Sequence, residues 1–121
     1  MLGIDIIKVS RIEDLKAHDQ FYRKVFTENE IAYIYKMNQS NQSIAGLLAA
    51  KEAVSKVFKT GIGKQLAFHD IEILHQERIP YLNIKKERIA ELMAGSDYVN
   101  IAISISHEKE YAVAVAMAEK D

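Results

Sequence analysis

Two segments near the C-terminus constrain the fold most. VNIAISIS and YAVAVAMA each alternate along the chain with period two, and the polar run His107, Glu108, Lys109, Glu110 separates them. Successive side chains of a strand point to opposite faces, so the pattern predicts a β-hairpin with two distinct surfaces. Val99, Ile101, Ile103, Ile105, Val113, Val115 and Met117 are expected on one face, and Ala102, Ser104, Ser106, Ala112, Ala114 and Ala116 on the other. The second set is small enough to admit a helix, a sheet or another subunit at close range. Cover on both faces is therefore expected.

Leu2 to Val9 reads as a strand, and Ser10 with Glu13 three residues later has the spacing of a helix start that continues through Arg11, Ile12, Leu15 and Lys16. Thr27 and Glu30 repeat that signal before Ile31, Ile34 and Tyr35. From about Ile44 to Phe58, Leu47, Ala50, Val54, Val57 and Phe58 form the stripe of a long helix, and the TGIG segment stops it, with Gly61 or Gly63 expected to adopt positive φ. Asp70 to Leu74 and Tyr81 to Ile84 suit short strands, and Lys85 to Met93 a further helix. The expected architecture is one small α+β domain over residues 1–121, an antiparallel sheet packed on a long central helix.

With 121 residues, nearly half of them hydrophobic, one core is the expectation, and a chain this small can complete a large site with a neighbouring subunit. The absence of cysteine removes disulfides and thiolate chemistry. No apolar run reaches membrane-spanning length and the N-terminus lacks the pattern of a signal peptide, so a cytoplasmic protein is expected. A formal net charge of −1 gives no broad attraction to nucleic acid.

Two carboxylates stand where acid is expensive: Asp5 inside the apolar run LGIDII and Glu52 inside AAKEAVSKVF. A carboxylate in such a setting needs a cation or several donors beside it. For Asp5 the plain alternative is a structural pair with Lys or Arg. For Glu52 it is a surface ion pair with Lys56, four residues on and on the same helical face. Taken together, the two acids could supply the oxygen ligands of a hard divalent cation, which is often held by one or two carboxylates and substrate phosphate. Lys56, Lys51 and the glycine-punctuated TGIG loop would add cations and backbone amides for a diphosphate.

His18, His69, His75 and His107 lack the two-His helical spacing of a zinc site. His107 ends a strand after Ser104 and Ser106, where it is either an ordinary turn residue or one presented to a ligand. A Ser beside a His makes no triad without an orienting acid and an oxyanion site.

The GIDI start with Ser10, Arg11 and Ile12 behind it, the central AAKEAVSK followed by TGIG, and the terminal SISHEKEYAVAV resemble, in order and interval, bacterial holo-acyl-carrier-protein synthase, the small type of 4′-phosphopantetheinyl transferase. The resemblance spans essentially the whole chain. It implies transfer of the 4′-phosphopantetheine arm of coenzyme A to a serine of apo-acyl carrier protein, dependent on Mg²⁺, in a homotrimer with active sites at subunit interfaces. It assigns Asp5 and Glu52 to the metal, Asp5, Glu52 and Lys56 to catalysis with Lys56 beside the diphosphate, and Lys51, Lys56, Gly61, Gly63, Pro80, Ser106 and His107 to coenzyme A. An acidic carrier protein would meet Arg11 and Lys24 on the first helices; Phe21 and Tyr22 either add apolar contact there or staple the helices to the core.

The chain departs from the family pattern at Leu47, where arginine is usual, at Lys59, and at Arg78 and Ile79 in the turn before Pro80. These positions put the hold on the nucleotide end of coenzyme A in question and predict a reduced affinity. Two other functions fit the same residues: a non-catalytic module binding coenzyme A or carrier protein, and a Mg²⁺-dependent hydrolase of nucleotide diphosphates.

Overall fold

The computed structural model describes residues 1–58, 62–63 and 66–120. In chain order its elements are β1 (Leu2–Lys8), α1 (Arg11–Lys16), α2 (Phe21–Val25), α3 (Glu28–Lys36), α4 (Asn41–Val57), β2 (Glu72–Gln76), β3 (Ile79–Asn83), α5 (Lys86–Leu92), β4 (Tyr98–His107) and β5 (Tyr111–Lys120). β1, β5 and β4 form an antiparallel sheet in that spatial order, and β2 pairs with β3 in a separate hairpin. The α+β architecture expected from the sequence is the one observed, with α4 lying across the three-stranded sheet.

The hairpin exists, but its faces differ from the expected ones. Ile101, Ile103 and Ile105 pair with Ala118, Ala116 and Ala114, so the large side chains of β4 share a face with the alanines of β5. The turn decides this. The Glu108 N–H donates to the Tyr111 carbonyl at 2.9 Å, and the Glu108 carboxylate accepts from the N–H groups of Glu110 and Tyr111. That closure pairs His107 with Ala112 and joins odd positions of β4 to even positions of β5.

The alanine side of the sheet meets α4. Ala112, Ala114, Ala116 and Ala118 are buried there, opposite Ala45, Ala49, Ala50 and Ala53 of the helix. Gly3 of β1 completes the seat: a Cβ on it would run into the Ala53 carbonyl oxygen, so only glycine permits this approach. The opposite face carries Leu2, Ile4, Ile6 and Met117, and it is open in the single chain, Ile6 being 62% exposed.

Helix ends followed the sequence unevenly. Thr27 and Glu30 form a reciprocal capping box at the start of α3, as their spacing predicts. Ser10 instead lies in helical conformation and its side chain makes no cap bond. α2 carries Lys24 and has no side-chain cap; Phe21 and Val25, four apart, bury one face of it, and the Phe21 ring packs edge-on against Phe26. α4 begins at Asn41 behind Ser40, whose hydroxyl accepts from the Ser43 N–H. Gly63 has no positive φ, and Gly61 and Lys59 lie outside the described residues.

Glu30 does more than cap its helix. Fully buried, it accepts from the Lys51 ammonium at 2.5 Å and from the Ile73 N–H at 2.8 Å, tying α3 to α4 and β2. Burial pushes the Lys51 ammonium's pKa down and the Glu30 carboxylate pulls it back up. Lys51→Met would leave that carboxylate buried without a cation, and we expect a loss of about 3–5 kcal/mol in urea denaturation. Glu30→Leu/Lys51→Met should recover only part of it, since the N–H groups of Ile73 and Thr27 still lose their acceptor.

Candidate functional site

Asp5 sits in the middle of β1, an edge strand, with its side chain on the α4 side of the sheet. Gly3, two residues earlier on the same face, lets α4 pass close to β1 at Ala53. The residues flanking Ala53 on the helix are thereby delivered to Asp5. The Lys56 ammonium donates to Asp5 Oδ1 at 3.0 Å and to the Ile4 carbonyl oxygen at 2.9 Å. Glu52, one turn before Lys56, lies in the same electrostatic neighbourhood. Its carboxylate accepts no hydrogen bond among the described residues.

The Glu52 pKa is raised, first by burial and then by the Asp5 carboxylate; Lys56 and Arg11 oppose the shift. Two partly desolvated acids that repel each other, beside a backbone carbonyl, offer oxygen donors of the kind a hard divalent ion takes. Lys56 already places a positive charge against two of those oxygens, so the position accepts a cation. No group of three or more His, Cys, Asp and Glu that could hold a metal is found among the described residues, so further ligands would come from water or phosphate.

The other residues assigned from the sequence do not gather there. Pro80 and His107 line a cavity of about 110 Å³ with Gly46, Leu47, His75 and Arg78. Ser43 also lines it, and Ser43 and Glu52 are about two and a half helical turns apart, which puts this cavity and Glu52 on opposite faces of α4. Ser106, paired with Val113, projects from the open face of the sheet, away from α4. Gly63 is exposed, with nothing among the described residues within 4 Å of where a Cβ would stand.

Two assignments are corrected. Lys51, expected beside the diphosphate, has no exposed side chain and is committed to Glu30. Its place on α4, one residue before Glu52, turns it into the core instead. Phe21, expected at a docking surface, is 8% exposed and belongs to the core cluster, whereas Arg11 and Lys24 present their side chains to solvent.

A family model described as the 4′-phosphopantetheinyl transferase superfamily matches residues 1–116. The chain belongs to that superfamily. Holo-[acyl-carrier-protein] synthase of Finegoldia magna is 43% identical over 115 residues, 95% of this chain and 92% of the relative. Among solved structures, the Helicobacter pylori holo-[acyl-carrier-protein] synthase in complex with coenzyme A superimposes with a TM-score of 0.85 at 33% identity, covering 98% of this chain and all of that one. The Bacillus anthracis synthase, in complex with CoA (3′,5′-ADP), gives 0.80 at 36% identity, with coverage of 99% and 96%.

Sequence reasoning missed two features. The Ile4 carbonyl is a backbone group, invisible in side-chain patterns, although its place beside Asp5 on an edge strand was available once the strand was read. Arg11 was assigned to docking alone, yet the turn from β1 into α1 brings it close enough to act on Glu52.

An acid whose pKa is raised on folding favours the folded state most when protonated, so its contribution is fully present below the ordinary Glu value of 4.5 and is lost as pH rises through the raised value. In EDTA, wild type should therefore lose stability relative to Glu52→Gln as pH climbs from 4.5 toward neutrality. Thermal melts of both proteins across that range check it.

Proposed function

We propose that this chain transfers the 4′-phosphopantetheine group of coenzyme A to a serine hydroxyl of apo-acyl carrier protein, giving the holo-carrier and adenosine 3′,5′-bisphosphate, and so supplies fatty acid biosynthesis. The observation that carries the proposal is the convergence of Asp5, Glu52 and Lys56 at the edge of β1 in a chain whose relatives bear the name holo-[acyl-carrier-protein] synthase.

The reaction forms a bond from the serine oxygen to the phosphorus bearing the pantetheine arm and breaks the bond from that phosphorus to the bridging oxygen. Charge grows on the leaving phosphate, and a cation held against it lowers the barrier. Lys56, half exposed, is the cation the chain itself offers. Glu52 is the base for the serine proton, directly or through water, because burial and Asp5 raise its proton affinity. A Mg²⁺ ion bound by Asp5 and Glu52 would neutralise non-bridging oxygens of the diphosphate. Positioning, without an enzyme nucleophile, supplies the rest.

The working unit is a homotrimer with its sites between subunits. Two observations support this. The open sheet face, with Leu2, Ile4, Ile6 and Met117 beside the half-buried Val113 and Val115, is an apolar patch that a monomer would leave in water. Pro80 and His107 also lie across α4 from Glu52, so one ligand reaches both groups only if two copies meet. Arg78 lines the same cavity as Leu47 and brings a guanidinium to it, which offsets part of the affinity loss expected from the sequence. Arg11 and Lys24 give the carrier protein a cationic approach, and added salt should weaken it.

Incubation with coenzyme A, Mg²⁺ and apo-carrier protein should add the phosphopantetheine mass to the carrier, and Asp5→Ala or Glu52→Ala should abolish the addition. Tight coenzyme A binding without transfer would favour a binding module, and coenzyme A breakdown with an unmodified carrier a hydrolase. Glu52→Ala, inactive alone, and His107→Ala, weakened alone, should together give active protein when unfolded and refolded as a mixture, because mixed oligomers contain interfaces with both residues intact. No recovery would contradict shared sites.

A further inference from the structure

The sequence resemblance places Lys56 beside the diphosphate. In this structure it is already engaged. Its ammonium bridges Asp5 Oδ1 and the Ile4 carbonyl at 3.0 and 2.9 Å, the contacts of a bound cation. The Asp5 side chain is only 19% exposed, whereas that of Lys56 is 50% exposed, so the lysine can swing outward while the aspartate stays. β1 is an edge strand, and the Ile4 carbonyl meets Lys56 where no further strand stands among the described residues.

We infer that Lys56 is a resident counter-ion at the Asp5 cation position, displaced from Oδ1 and the Ile4 carbonyl when a divalent ion binds there, which frees its ammonium for a phosphate oxygen. The inference rests on the proposed metal site of Asp5 and Glu52. An ammonium on Asp5 Oδ1 and the Ile4 carbonyl repels a divalent ion drawn to the same two oxygens, and the repulsion is strong in a partly desolvated site. Each therefore weakens the other's hold, and the two equilibria are linked. Without a divalent ion, the lysine keeps two oxygens and one acid partly neutralised.

Binding of Mn²⁺ alone, measured by electron paramagnetic resonance without coenzyme A, tests this. Lys56→Met should bind Mn²⁺ roughly two- to fivefold more tightly than wild type, the range set by an exposed ion pair. Arg11→Met removes a cation that acts on Glu52 without touching Asp5, and should raise affinity less. In protein whose lysines carry ¹³C-methyl labels, the Lys56 resonance, identified by its loss in Lys56→Met, should move on addition of Mg²⁺. An Lys56→Met affinity no higher than wild type, a gain no larger than that of Arg11→Met, or an unmoved Lys56 resonance overturns the counter-ion role while leaving the metal site standing. Failure of both wild type and Lys56→Met to bind Mn²⁺ removes the metal site itself, and the inference with it.

Discussion

The close passage of α4 over the sheet is the constraint from which the rest follows. It is possible because the contact is made of glycine and alanine: Gly3 against the Ala53 carbonyl, and a row of β5 alanines against the alanines of the helix. Side chains of ordinary size would hold the helix further from the strands. Lys56 could not then reach both Asp5 and the carbonyl of Ile4, and Glu52 would lose its influence from Asp5. Small residues thus do chemical work here by setting a distance.

Three faces of one helix carry three different jobs. Lys51 points into the core and is fixed by Glu30, which also holds the start of α3 and the backbone of β2. Glu52 and Lys56 turn to the edge of β1. Ser43, Gly46 and Leu47 line the cavity that contains His107 and Pro80. A buried ion pair is weak support for stability, but it penalises any rotation of α4 that would strand either charge. The acids of the site are therefore oriented by an interaction that no ligand touches.

Much of this was legible in the sequence, and the failures have physical causes. Asp5 and Glu52 stood out because each put a carboxylate in an apolar or small-residue run, and the Asp5 charge acts on Glu52 in the folded chain. Thr27 and Glu30 declared a capping box through spacing alone. Lys51 misled because a lysine one residue from a functional acid looks like a partner, while about 100° of helical rotation separates their faces. The hairpin misled because the identity of the alternating residues fixes each strand but not their relative register, which the closure at Glu108 and Tyr111 decides. For Phe21 the sequence left a docking contact and a core staple both open, and only its burial decides between them. The split of His107 and Pro80 from Glu52 depends on the rotation of α4 within the packed domain, which no local pattern encodes.

The central claim is that one strand and one helix bring a carboxylate each to a shared divalent ion. Crystals grown with Mn²⁺ and diffracted at a wavelength where the metal scatters anomalously test it directly. The account predicts a single strong peak at ordinary oxygen-coordination distance, about 2 Å, from both Asp5 and Glu52. A peak bound elsewhere, or one touching only one of the two carboxylates, would contradict it.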